Sequence, residues 1–255
     1  MNSKRLSKEQ QVAHSAMVAL LADRDEADRR YNALADSHGG RVVSTDIARF
    51  LDTRYRDTPA GRARDLVPSW DLAWRYAQGR FARELGSRNR RRVVRFMAGG
   101  WGAGKTHALE REKPCDLAWD GTLKDTDWAW QMVNLALVQG WRVEIAYVFR
   151  DIEMAMYGAV QRSFDEGRSV PLAELPGNHR AVQVSVRKLI LDFRTNPSVA
   201  FLLLHNLGAK GIEGTARVFA NTELAQTGAL HDSKRYEDYY TEAAREIEAI
   251  HRSSR

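Results

Sequence analysis

The stretch Gly99-Gly100-Trp101-Gly102-Ala103-Gly104-Lys105-Thr106 constrains this chain more than any other. It fits G-x-x-x-x-G-K-[ST] without a mismatch, with an apolar run, Val93 to Ala98, before it and a helical pattern after it. Glycines let the backbone turn tightly enough for successive N–H groups to point at phosphate oxygens, and a helix starting at Lys105 adds its N-terminal partial charge. In that arrangement Lys105 reaches the β- and γ-phosphates and Thr106 ligates Mg²⁺, which implies ATP or GTP as the ligand. The overlapping G-x-G-x-x-G spacing is a weaker signal, and with Lys-Thr attached a dinucleotide reading loses.

The rest of the sequence predicts a matching scaffold. Ser7 and Gln10 form a capping-box pair ahead of an N-terminal helix that runs to the polar Arg24–Arg30 stretch. His38-Gly39-Gly40 breaks it. Arg41–Ser44 reads as a short strand and Thr45-Asp46 as the cap of a helix, Pro59 and Gly61 mark a loop, and Pro68 opens an aromatic helix. Beyond the glycine-rich turn come a strand over Leu117–Trp119, a helix over Trp128–Val138, a strand over Arg142–Phe149 and a helix over Asp151–Phe164. A loop over Gly167–Gly177, a helix over Ala181–Phe193, a strand over Val199–Leu204 and a charged terminal helix over Tyr236–His251 complete the pattern. Strand and helix in alternation predict an α/β fold, a P-loop NTPase-type, mostly parallel sheet flanked by helices. At 255 residues we expect one domain, with a helical region over 1–38, an α/β core over 39–208 and a helical extension over 209–255.

Composition narrows the classes further. The single cysteine, Cys115, excludes an intramolecular disulfide framework and a multi-cysteine zinc site. Without an apolar signal core at the N-terminus or a long apolar span, the expectation is a cytoplasmic protein with no membrane. The net charge of +6 favours an acidic partner. The cluster Arg88, Arg90, Arg91, Arg92 and Arg95 is compatible with nucleic acid, but it leads into a buried strand, so a solvated linker is the better reading.

Carboxylates and arginines around the loop supply the remaining chemistry. Asp120 ends the strand after the loop's helix, where it either holds Mg²⁺, orients a substrate, or simply makes an Asp-Gly turn. Arg162 and Arg168 flank a helix end, suited to charge on a transferring phosphoryl group or to plain dipole compensation.

Three stretches together resemble the zeta-toxin family of P-loop kinases. They are the loop itself, the run Ala118–Arg162 with its Asp120-Gly121-Thr122-Leu123 and Gly140-Trp141-Arg142-Val143 segments, and Gly167-Arg168-Ser169. The resemblance spans about residues 93 to 206. It implies phosphorylation of a UDP-N-acetyl sugar, restraint by an antitoxin protein, Arg162 and Arg168 as phosphate contacts, and Asp120 and Thr122 on the substrate side, Asp120 standing where the family has Glu. One departure matters. The family carries a strand ending in Asp-x-x-Arg between the P-loop helix and the Gly-Thr-Leu strand, and its Asp is the base for the sugar hydroxyl. Here only residues 107–116 lie between them. The segment Val42–Leu51, with Tyr55 beyond, is similar to the missing piece and stands before the P-loop strand, which implies a permuted order with Asp46 as base and Arg49 as substrate contact.

The expectation is therefore a phosphotransferase passing a γ-phosphate to a small-molecule hydroxyl, with a nucleotide sugar as acceptor. The alternative is a nucleotide-dependent switch acting on nucleic acid or a protein partner, which needs neither base nor acceptor pocket.

Overall fold

The structure, a computed structural model, describes residues 7–52, 54–55, 58–86, 92–206 and 217–218. The predicted terminal helix over Tyr236–His251 and three members of the arginine cluster, Arg88, Arg90 and Arg91, lie outside these. The chain divides into two compact units: Met1–Glu84 with Arg162–Ser169, and Leu85–Gln161 with Val170–Arg255.

The first unit is helical. Helix α1 (Lys8–Ala22) opens on the anticipated capping box: the Gln10 N–H donates to Ser7 Oγ at 3.2 Å and the Ser7 N–H to Gln10 Oε1 at 2.9 Å. The helix ends just before the polar Arg24–Arg30 stretch, as anticipated, and that stretch forms a second, α2 (Arg24–Asn32), because Asp23 breaks the first and caps the next through the Glu26 N–H. His38, Gly39 and Gly40 turn the chain through left-handed φ values of 48°, 72° and 90°. Strand β1 (Val42–Val43) is then fastened by the buried Tyr31, whose hydroxyl donates to Val42 O and accepts from the Ser44 N–H, both at 3.0 Å. Helix α3 (Thr45–Ala48) follows. Pro59 and Gly61 sit not in a loop but in a helix, α4 (Pro59–Asp65), since proline at the first turn loses no hydrogen bond and Thr58 Oγ1 accepts from the Gly61 N–H. The aromatic helix is α5 (Trp70–Gly86).

The second unit carries a sheet of β2 (Val93–Ala98), β3 (Leu117–Asp120), β4 (Arg142–Phe149), β5 (Val199–His205) and β6 (Arg217–Val218), in spatial order β3-β2-β4-β5-β6. The first four are parallel and β6 is antiparallel to β5. Phe96 lies opposite both Trp119 and Ile145, and Ile145 opposite Phe201, so the centre of the sheet is an apolar band. The helices are α6 (Lys105–Arg111), α7 (Thr126–Val138), α8 (Ile152–Asp165) and α9 (Leu175–Phe193). Helix α9 begins six residues before the predicted Ala181, because Pro176 fits its first turn and a 3₁₀ turn over Leu172–Glu174 leads into it. The P-loop strand β2 sits inside the sheet, and its carboxyl end opens between its two neighbours, where parallel α/β sheets bind ligands.

Arg95 and Arg92 resolve part of the arginine cluster. Arg92 is exposed, whereas Arg95 is buried in β2, directly across from Glu144 on β4, with hydrogen bonds of 3.0 and 2.6 Å to Glu144 Oε2 and 2.9 Å to Lys113 O. Arg95 thus joins strands and is no nucleic-acid contact. Arg95→Leu leaves Glu144 and Lys113 O without their partner. Because Glu144 is partly solvated, urea unfolding should show a loss of about 1–3 kcal/mol, less than for a fully buried pair.

Candidate active site

The P-loop leaves β2 at Gly99 and enters α6 at Lys105, with Gly104 at φ +92° as the helix N-cap. Gly102 could be nothing else: its φ is +77°, and a Cβ there would stand 2.3 Å from Ala155 O on α8. Lys105 Nζ donates to Gly99 O and Gly100 O, 3.0 Å each, which holds the ammonium over the loop.

Side chains from outside the loop hold its other carbonyls. Arg150, just past β4, donates to Gly102 O at 3.0 Å. Asn206, just past β5, donates to Ala103 O at 3.0 Å. His179 on α9 lies 2.8 Å from Trp101 O through Nε2; a carbonyl only accepts, so Nε2 carries the proton. Asn178 Oδ1 accepts from the Trp101 N–H at 3.0 Å. Every peptide among the described residues is trans, so each carbonyl held by a side chain turns the following N–H the other way. His179 and Asn206 therefore turn the Gly102 and Gly104 N–H groups away from the carbonyls they hold, while the Ala103 N–H, behind the carbonyl that Arg150 holds, closes a turn onto Gly100 O at 3.2 Å. Of these side chains, Asn206 carries a sequence signal, a polar residue closing an apolar strand. Arg150 carried the same signal, a polar residue at the carboxyl end of a central strand. Asn178 and His179 carried none, since their segment was expected partly as loop.

On the other flank of β2, Thr106 Oγ1 donates to Asp120 Oδ2 at 3.0 Å, bringing together the two residues expected at the metal. Thr122 contributes its carbonyl, which accepts the Gly99 N–H at 3.2 Å. Leu123 follows at a left-handed φ of 58°, buried, an arrangement rare for a bulky residue and found mainly where surrounding structure enforces it. A hydroxyl and a carboxylate in hydrogen-bond contact are hard oxygen donors, and they fit Mg²⁺.

A second cluster lies within the helical unit. Helix α3 is capped by Ser44, whose Oγ accepts from the Asp46 N–H, so Asp46 occupies the first turn and does not cap it as the sequence suggested. Its half-exposed carboxylate is gripped on both oxygens: Arg49 Nη1 donates to Oδ1 at 2.9 Å and Arg168 Nη2 to Oδ2. The Arg49 guanidinium also lies 5.8 Å from the centre of the Tyr55 ring. Burial pushes the Tyr55 hydroxyl's pKa up, while Arg168 and Arg49 pull it back. Asp46 and Arg49, three residues apart, thus meet Arg168 from far along the sequence. Arg162 stands in the last turn of α8, partly buried.

A parallel sheet with a Gly-Lys-Thr loop at the carboxyl end of an inner strand, a lysine over that loop and a threonine–aspartate pair beside it define a protein of the P-loop NTPase fold class. Residues 110–201 match the model of the zeta-toxin family. The match begins beyond Thr106 and takes in Asp120, Thr122, Arg162 and Arg168; the P-loop and the Asp46 segment lie outside it. Among solved structures, a chain described with the PezAT chromosomal toxin-antitoxin system of Streptococcus pneumoniae is similar at 8% identity, over 80% of this chain and 72% of that one, with a TM-score of 0.44. No curated protein matches.

The electrostatics of the loop give a pH dependence. Burial, and then the Lys105 charge, depress the His179 pKa from 6.5 to about 4. Between those values the unfolded chain takes up a proton that the folded chain refuses, so stability is intact above about pH 6.5 and falls as pH drops towards 4. The loss is on the order of 3 kcal/mol. Urea midpoints across that window should fall less steeply for His179→Gln, which cannot titrate.

Proposed function

We propose that this protein is a nucleoside-triphosphate-dependent phosphotransferase that moves a γ-phosphoryl group to a hydroxyl of a small acceptor. The acceptor that the zeta-toxin resemblance suggests is a UDP-N-acetyl sugar, and the same resemblance suggests an antitoxin as protein partner. The observation that carries the reading is the loop itself: backbone donors released by outward-held carbonyls, with Lys105 above them and the Thr106–Asp120 pair beside them.

Phosphoryl transfer needs little covalent help from a protein, so positioning and charge do most of the work. The N–H groups of the loop and Lys105 bind the phosphates of ATP or GTP. Thr106 and Asp120 would hold Mg²⁺, which supplies charge neutralisation at the phosphate oxygens. Asp46 is the general base. Its two oxygens each take one guanidinium, from Arg49 and Arg168, which orients the carboxylate while its half-exposed position leaves lone pairs for an acceptor hydroxyl. Arg49 and Arg168 also suit the anionic acceptor, and Arg162 suits charge on the transferring group.

Two experiments test this. With labelled triphosphate, Lys105→Ala should abolish transfer and weaken nucleotide binding by roughly tenfold or more; full turnover in this variant would end the P-loop assignment. A paired comparison separates the carboxylates. Asp46→Asn should keep nucleotide affinity and lose transfer by roughly 10²-fold or more, while Asp120→Asn should chiefly raise the Mg²⁺ concentration that activity requires. If Asp46→Asn retains transfer, another group is the base.

A further inference from the structure

One residue of the P-loop is tethered from three directions. The side chain of Trp101 packs against the apolar cluster of Ala155, Met156, Ala159, Leu172 and Leu175, and Lys124 Nζ lies 5.5 Å from its ring centre. Its N–H goes to Asn178 and its carbonyl to His179. These two polar atoms belong to different peptide planes, one before and one after the Trp101 Cα. Fixing both planes fixes φ and ψ of the residue between them.

The clamp is built in rather than incidental. Asn178 and His179 are both about 5% exposed. Asn178 Nδ2 finds no partner among the described residues, an arrangement that is unfavourable for a buried amide and tolerated here because an N–H facing it demands the oxygen. The imidazole lies so close to Gly100 that a Cβ there would be 2.1 Å from its Cδ2. Gly100 is therefore a glycine on account of His179.

We infer that Asn178 and His179 are positioning residues, through which the first turn of α9 sets the shape of the phosphate loop. The Trp101 N–H is occupied by Asn178, so the loop donors available to phosphate begin at Gly102, whose N–H is aimed inward because His179 holds the carbonyl of the same peptide. This rests on the reading of the loop as a triphosphate site.

The test uses the full chain with ATP and Mg²⁺, and has one readout that needs no nucleotide. In Asn178→Ala, amide exchange at Trp101 should accelerate at least tenfold in the free protein, while the amides of the central strand β4 exchange as in the wild type. His179→Ala and Asn178→Ala should each weaken ATP binding about tenfold, with urea midpoints showing that the variants remain folded. His179→Gln, whose side-chain N–H can reach Trp101 O, should recover most of that affinity. A purely structural role would give destabilised proteins of unchanged affinity. Unchanged exchange at Trp101, affinity within twofold of the wild type in both alanine variants, or a glutamine variant no better than alanine would each overturn the inference. A wild-type chain that binds neither ATP nor GTP, or a Lys105→Ala chain that binds as well as wild type, would instead overturn the reading of the loop.

Discussion

A backbone can offer its N–H groups to a ligand only if its carbonyls are satisfied elsewhere, and the site depends on how this chain meets that condition. Buried carbonyls without partners are as unfavourable as buried amides, so a loop that presents donors inward must find donors on its outer side. Here they come from three separate elements: Arg150 after β4, Asn206 after β5 and His179 on α9. The parallel sheet is what makes this possible. It lines up the carboxyl ends of β2, β4 and β5, so residues 99, 150 and 206 reach the same edge although the sequence separates them widely.

The strands were readable in the sequence because parallel strands are covered on both faces and appear as unbroken apolar runs. Val93–Ala98 and Arg142–Phe149 have the predicted bounds, and Leu117–Asp120 and Val199–His205 differ from theirs by one residue. The errors fall where local chemistry imitates a break. Arg24–Arg30 is too polar to look like a packed helix, yet Ala27 and Tyr31 bury the side that matters. Pro59 and the Gly167–Gly177 stretch that contains Pro176 read as loop in the sequence, but each proline sits in the first turn of a helix, where its fixed φ is favourable.

Site residues divide in the same way. Those within one motif, Gly99 through Thr106, are legible because a single turn imposes their types. Thr106 and Asp120 were legible as well, since strand β3 follows the loop's helix directly. Asp46 and Arg49 share one helical turn and announced themselves by spacing, but nothing in sequence spacing ties Arg168 to them. Asn178 and His179 were invisible for a different reason. Their role is to hold main-chain atoms of another segment, and a residue that reads backbone leaves no complementary side chain to look for.

The outer donors also act on the loop's own hydrogen bonds. Arg150 places a guanidinium on the Gly102 carbonyl, and Lys105 places an ammonium on those of Gly99 and Gly100. A cation at the oxygen of a peptide polarises it and strengthens the N–H at its other end; for the Gly100 and Gly102 carbonyls those N–H groups are Trp101's and Ala103's, which donate to Asn178 Oδ1 and Gly100 O, so the cations stiffen the loop itself. His179, like the Asn206 amide, is a neutral outer donor, kept so by burial and by Lys105. A protonated imidazole there would repel the Lys105 ammonium with little solvent to screen it. A neutral donor supplies the hydrogen bond that fixes Trp101 while leaving Lys105 as the charge that faces the ligand.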